Sequence, residues 1–119
     1  MEGQTVSQQA NAIFTITVKA AAAIAAQTFV SPSGGVPAAG ANTIGVAKTD
    51  AAVGDALAVD TLGTAVVVAG AAIPAGSAIE VDAAGRALPQ NAGKTVGRLK
   101  PSQSAAALGD LVEVILIPN

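Results

Sequence analysis

Three stretches of this chain share one grammar: AVGDALAV at Ala52–Val59, PAGSAIEV at Pro74–Val81 and ALGDLVEV at Ala107–Val114. The common pattern is Gly-[Asp/Ser]-x-[Leu/Ile/Val]-x-Val. A glycine can take the positive φ of a tight turn, and an Asp or Ser beside it can cap the turn backbone. The alternation that follows is that of a strand with one buried face. Each stretch is therefore expected to be a turn launching a strand. Leu57 with Val59, Ile79 with Val81, and Val112 with Val114 become paired core positions. The first and third copies match further upstream, where IGVAKTDAA from Ile44 resembles VGRLKPSQSAA from Val96. Uneven spacing excludes a solenoid. The repeat is either an old duplication inside a barrel or simply the local grammar of turn plus strand.

Working outward, the punctuation stays that of β structure. Thirteen Gly and six Pro are spread along the chain, so few stretches could hold a long helix. From Ala12 the residues alternate, with Phe14, Ile16 and Val18 expected on one side and Thr15 and Thr17 on the other. Ala20 to Ala26 has helix propensity, but it is short and flanked by β-branched segments, which favours strand or turn. SPSGG at Ser31–Gly35 reads as a loop. Short strands are expected near Thr43–Ala47, Ala56–Asp60, Thr64–Val68, Ala78–Asp82, Thr95–Leu99 and Leu111–Ile117. Asp60-Thr61-Leu62-Gly63 and Asp82-Ala83-Ala84-Gly85 both carry hairpin chemistry. The sum is an all-β, small single-domain β-barrel or β-clip-like body with an extended N-terminal arm. The arm is residues 1–11 and the single β domain residues 12–119.

Composition narrows the function. The chain has 119 residues, a formal charge of −2, and no Cys, His, Trp or Tyr. Without His or Cys, a Ser-His-Asp triad, a Cys-His dyad and a thiolate zinc site are all excluded. Mean hydropathy is +0.57, but alanine causes it, and the apolar run near Ala65–Ile73 falls far short of the ~20 residues of a spanning helix. MEGQTVSQQAN at the start is polar, without the basic n-region of a leader. Charged residues make up only 12%, about half the ~25% usual for soluble domains. A lean, alanine-rich core under a sparsely charged surface suggests that neighbouring subunits bury part of that surface. The plainer alternative is a soluble β domain of unusual composition.

The remaining candidates for chemistry are weak. Glu80 and Asp82 are two residues apart on the expected solvent face of a strand, without the cleft and aromatic platforms of a glycosidase. Asp55 and Asp110 follow turn glycines and are expected to cap turn backbone. AGKT at Ala92–Thr95 resembles the end of a phosphate-binding loop, but Leu88 stands where that motif needs glycine, and a strand rather than a helix follows. Lys48, Arg86, Lys94, Arg98 and Lys100 are scattered without interleaved aromatics, which argues against nucleic acid.

The segment from Gly34 to Pro118 carries GGVPAAGANTIGVAKTDAAVGDALAV, AGAAIPAGSAIEVDAAGRA and the terminal GDLVEVILI in that order. In these motifs the chain resembles the phage capsid-cement (head decoration) protein family. AIPAGSAIEVD also resembles β-clip domains. The resemblance implies a compact β body, usually a homotrimer, seated where capsomers meet on the outer capsid surface of the virion and made in the host cytoplasm. Its partner would be the major capsid protein, with no enzyme activity, cofactor, metal, nucleic acid, membrane or small-molecule substrate. Two contact regions are expected. The polar arm has little to bury, and strand pairing with a neighbour would satisfy its backbone. Gln4, Thr5, Val6, Ser7, Gln8 and Gln9 are therefore expected to meet another subunit or the capsid. In the last strand, Ile115 and Ile117 lie opposite the core face, where polar residues would be usual, which places them at a contact too. The alternatives are another β-rich virion module, such as tail tube or fibre, and a ligand-binding β-clip domain. The last would want aromatic pocket residues, and only Phe14 and Phe29 exist.

Overall fold

The structure, a computed structural model, describes residues 10–117. It contains eight strands and, among the described residues, no helix. The strands are β1 (Ala12–Lys19), β2 (Phe29–Val30), β3 (Gly45–Ala47), β4 (Ala56–Val68), β5 (Ala78–Val81), β6 (Ala87–Pro89), β7 (Gly97–Leu99) and β8 (Leu111–Leu116). They form one antiparallel sheet in the order β2-β3-β4-β8-β7-β5-β6, with β1 also paired to β4. The all-β barrel body expected from the sequence is what is observed. Ala20–Ala26 is not helical; Ile24 and Ala51 exchange both backbone hydrogen bonds at 2.9 Å.

The alternation rule placed the core well. Leu57, Val59, Ile79, Val81, Val112 and Val114 are all fully buried. One expected hairpin exists and the other does not. At Asp82–Arg86 the chain reverses, with the Asp82 N–H donating to the Arg86 carbonyl at 2.9 Å. At Asp60–Gly63 it runs straight on, making β4 a continuous strand of thirteen residues. Gly63 does take φ +99°, but it uses that freedom to let β1 come close: a Cβ there would lie 2.4 Å from the Asn11 carbonyl oxygen. Asp60 is not a turn residue at all. It is buried, accepting from Thr15 Oγ1 at 2.7 Å and pairing with Lys48 Nζ at 3.4 Å.

The hydrogen-bond register decides between duplication and local grammar. β1 meets the first part of β4 through Val18–Leu57 and Ile16–Val59; the second part of β4 meets β8 through Val67–Val112 and Ala65–Val114. Phe29–Val46 and Val30–Gly45 recur as Ala78–Arg98 and Ile79–Gly97. The Ile24–Ala51 bridge recurs as Ile73–Ala105. The Ala20 N–H donates to the Asp55 carbonyl at 2.9 Å, as the Ala69 N–H does to the Asp110 carbonyl at 2.8 Å. The chain is thus two copies of one small β unit, fused where the last strand of the first becomes the first strand of the second. The middle motif, Pro74–Val81, belongs to grammar alone, because its duplicate position, Ala25–Pro32, lacks the motif. Gln27 there adopts φ 64° where the second copy has Gly76 at 73°.

Each unit curls on itself. In the second, β6 returns to the end of β4 through an Ala69–Ala87 bridge. In the first, the Ala21 N–H donates to the Gly34 carbonyl at 3.0 Å. Each encloses its own apolar cluster, one around Ile24, Val30, Leu57 and Val59, the other around Val67, Ile79, Leu99 and Val114. Phe29 and Val46 of the first unit reach across into the second cluster.

Strand crowding makes a sharp test. A Cβ at Gly45 would stand 2.1 Å from the Asp60 carbonyl oxygen and 2.9 Å from Val59 Cγ1, whereas one at Gly54 would meet nothing within 4 Å. Gly45→Ala is expected to cost about 3 kcal/mol or more, since backbone cannot yield as a side chain does. Gly54→Ala, penalised only for its φ of +89°, should cost about 1–2 kcal/mol. Urea unfolding of the two variants reads the order directly, and the reverse order would contradict the described β3–β4 packing.

Candidate functional site

The polar side chains are committed to holding the fold. Asp55 accepts from the Ala52 N–H at 3.0 Å, and Asp110 from the Ala106 and Ala107 N–H groups at 2.8 and 3.2 Å, as turn caps. Asp50 holds the Ala26 N–H and Asp82 the Ala84 and Arg86 N–H groups. Glu80 accepts from the Asn91 N–H at 2.6 Å and the Gly93 N–H at 3.0 Å. Those are amides of the loop that resembles a phosphate cradle, so an internal carboxylate already fills the anion position. Among the described residues no group of three or more His, Cys, Asp or Glu is placed to hold a metal ion.

Glu113 is the least expected of these acids. Alternation puts it on the outer face of β8, yet it is 1% exposed and pairs with Lys100 Nζ at 3.2 Å. Its N–H donates to Gln103 Oε1 at 3.2 Å, so the segment after β7 folds over this part of the strand. Lys48 and Lys100 are duplicates: their N–H groups donate to the Ala58 and Glu113 carbonyls at 3.0 and 3.2 Å. Their acids are not, since Asp60 corresponds to Ile115 in the strand register.

That correspondence explains the surface at Ile115. In the first unit the outer face at Val46 and Asp60 is buried, with Val46 in the second unit's core cluster. The duplicate face of the second unit, at Arg98 and Ile115, has no third unit to meet. Arg98 is exposed and Ile115 is 42% exposed. The Gln27 carbonyl receives the Val68 N–H at 2.9 Å across the two units, while its duplicate, the Gly76 carbonyl, is taken by Arg98 Nη1 at 3.0 Å. Ile117, half-buried just past β8, donates its N–H to the Val96 carbonyl at 3.2 Å. Ile115 and Ile117 thus sit near one another at the end of the last strand. Gln4, Thr5, Val6, Ser7, Gln8 and Gln9 lie outside the described residues.

A second apolar surface escaped sequence reasoning. Phe14 was expected on one side with Ile16 and Val18; those two pack against the first core, but Phe14 is 56% exposed. The β1–β4 ladder is locally irregular at this residue, where Phe14 pairs Leu62 between Ala12–Gly63 and Thr15–Asp60. Thr61 Oγ1 donates to the Phe14 carbonyl at 3.0 Å within it. The register is the same on either side of this point, so no residue is inserted, and Phe14 lines one groove with Ile16 while its ring stays exposed. Ile13, beside it, is 81% exposed. Phe14, Ile16, Ile44 and Leu62, with Pro32, line a shallow groove of about 360 Å³.

The two aromatic residues therefore have opposite roles. Phe29→Ala, emptying a fully buried site, is expected to cost about 3–5 kcal/mol. Phe14→Ser should stay within about 0.5 kcal/mol, as surface changes do. Denaturant midpoints of both variants check this, and a large loss from Phe14→Ser would return that ring to the core.

The phage cement protein family matches residues 7–116. Among solved structures, the fold is similar to the head fiber gp8.5 N base of bacteriophage phi29, with a TM-score of 0.71 over 87% of this chain and 93% of that one. Sequence identity with it is 23%, so the likeness is one of fold. No curated protein matches the chain. With nearly its whole length matched, the chain belongs to the phage cement protein family, structural proteins associated with the phage capsid.

Proposed function

We propose that this protein binds the outer surface of an assembled phage head, bridges neighbouring capsomers, and stabilises the shell against the pressure of packaged DNA. The family match over residues 7–116 carries the reading. The surface supports it: carboxylates are committed to caps and ion pairs, while apolar side chains such as Ile115 stay in the open. Such a protein does no chemistry. It contributes binding free energy that exists only in the assembled lattice, RT ln(1 + [L]/Kd) per site, about 2.7 kcal/mol at a hundredfold excess over Kd. In this reading the partner is the major capsid protein and the working form a homotrimer. The contacts are the arm, at Gln4 to Gln9, and Ile115 with Ile117. Three linked contacts would raise one another's effective concentration.

The likeness in fold to a head fiber base favours a second reading, in which the body anchors a fibre without strengthening the shell. One experiment separates them. Heads lacking the protein are expected to assemble but to release DNA at a lower temperature, and added purified protein should restore them. Retention should survive raised ionic strength, since an apolar contact is little screened. Deleting residues 2–9, or Ile115→Asp or Ile117→Asp, should weaken retention or shift the free protein toward monomer in sedimentation. Equal rupture temperatures for bare and decorated heads would leave the fibre-base reading standing and remove the cement reading.

A further inference from the structure

The turn Ala52–Asp55 makes few demands on its sequence. It needs a residue able to take positive φ at the third position, supplied by Gly54, and a cap at the fourth, supplied by Asp55. Val53, at the second position, serves neither purpose, yet it is a large aliphatic residue 68% exposed. The duplicate turn, Ala107–Asp110, has the same Gly at φ +96°, the same Asp cap, and Leu108 at the same place, 61% exposed. The third turn of this grammar, Pro74–Ser77, carries only Ala75 there. A bulky apolar tip is thus not a property of the turn. It occurs at the two turns that the duplication relates.

Their placement is also paired. The Gly54 N–H is bonded to the Ala20 carbonyl at 2.8 Å, beside the start of β4; the Gly109 N–H is bonded to the Ala69 carbonyl at 2.8 Å, just past its end. The two tips therefore flank opposite ends of the longest strand. That strand has thirteen residues, about 40 Å of extended chain at ~3.3 Å each. Both tips stand mostly in solvent, Val53 at 68% and Leu108 at 61% exposure.

We infer that Val53 and Leu108 are two equivalent contact points through which one copy holds two copies of the same capsid subunit; this rests on the capsid-binding reading above. A duplicated surface on one chain fits a partner that presents itself twice, as neighbouring subunits of a shell do. The chemistry asked of the partner is a small apolar depression, since each tip is an uncharged aliphatic side chain whose adjacent carboxylate is already taken by backbone amides. Two such contacts, each weak alone, gain 10²- to 10⁴-fold in avidity when linked.

The test is co-sedimentation with undecorated heads, using Val53→Ser, Leu108→Ser, the double variant, and the exchange Val53→Leu/Leu108→Val. Each single change is expected to weaken binding at least tenfold and to a similar residual level. The double variant should bind least, and the exchange should bind like the unmodified protein. Thermal unfolding should be unchanged throughout, because the tips support nothing. Loss from one single change with no effect of the other would mean one contact, not two, and would overturn the proposal. Normal binding by both would overturn it while leaving the capsid reading intact. A shift in the free protein's sedimentation without a change in head binding would assign the tips to self-association instead. If the unmodified protein fails to bind heads at all, the capsid reading falls and this proposal with it.

Discussion

The ladder along β4 carries both halves of the molecule: β1 and β3 are bonded to its first part and β8 to its second, so each unit closes around a portion of the same strand. The approach of β3 is close enough that Gly45 admits no side chain against the Asp60 carbonyl. Gly63, at positive φ, lets β1 approach where a side chain would collide with the Asn11 carbonyl. Because the two units share a strand rather than a linker, neither can move independently without breaking ladder hydrogen bonds. In the capsid-binding function proposed above, that rigidity would hold the contact points at a set spacing.

Duplication gives two environments to what began as one surface. In the first unit the outer face of the sheet is covered by the second, so Val46 is apolar and Asp60 is buried with Lys48 as its counter-charge. In the second unit that face is left partly open among the described residues, and Arg98 and Ile115 occupy the same register. Arg98 closes the exposed Gly76 carbonyl, acting as the polar end-cap that repeated units need. The acid moved as well: Glu113 partners Lys100 from a position where the first unit has Ala58. A buried carboxylate left without its cation is costly, by about 3–5 kcal/mol in enclosed sites and less where the lysine is partly exposed, as here.

Membership of the phage cement protein family agrees with a surface that has little machinery for reaction. Acids that might have formed a site are instead bonded to turn amides, and the loop resembling a phosphate cradle holds Glu80. What the surface does offer is apolar and dispersed: the Ile13–Phe14 ridge, Ile115, and the tips at Val53 and Leu108. Separate apolar points fit the proposed attachment to an extended lattice.

What could be read without the fold was whatever depends on near neighbours in the chain. Pleating alternates side chains whatever lies beyond the strand, so Leu57, Val59, Ile79, Val81, Val112 and Val114 were legible as core. Turn chemistry is equally local, which is why Asp55 and Asp110 could be assigned as caps and Ile115 as outward-facing. Tertiary structure decided everything that depends on which face is covered. The same Asp-x-x-Gly chemistry made a turn at Asp82–Gly85 and an unbroken strand at Asp60–Gly63, where β1 pairs along the segment. The ring of Phe14 was left exposed where Ile16 and Val18 reached the first core, and the segment holding Gln103 buried Glu113. Duplication itself lay in hydrogen bonds between residues distant in sequence. Short alanine-rich strands can satisfy that pairing with almost any sequence that alternates, so little of it is recorded in the residues themselves.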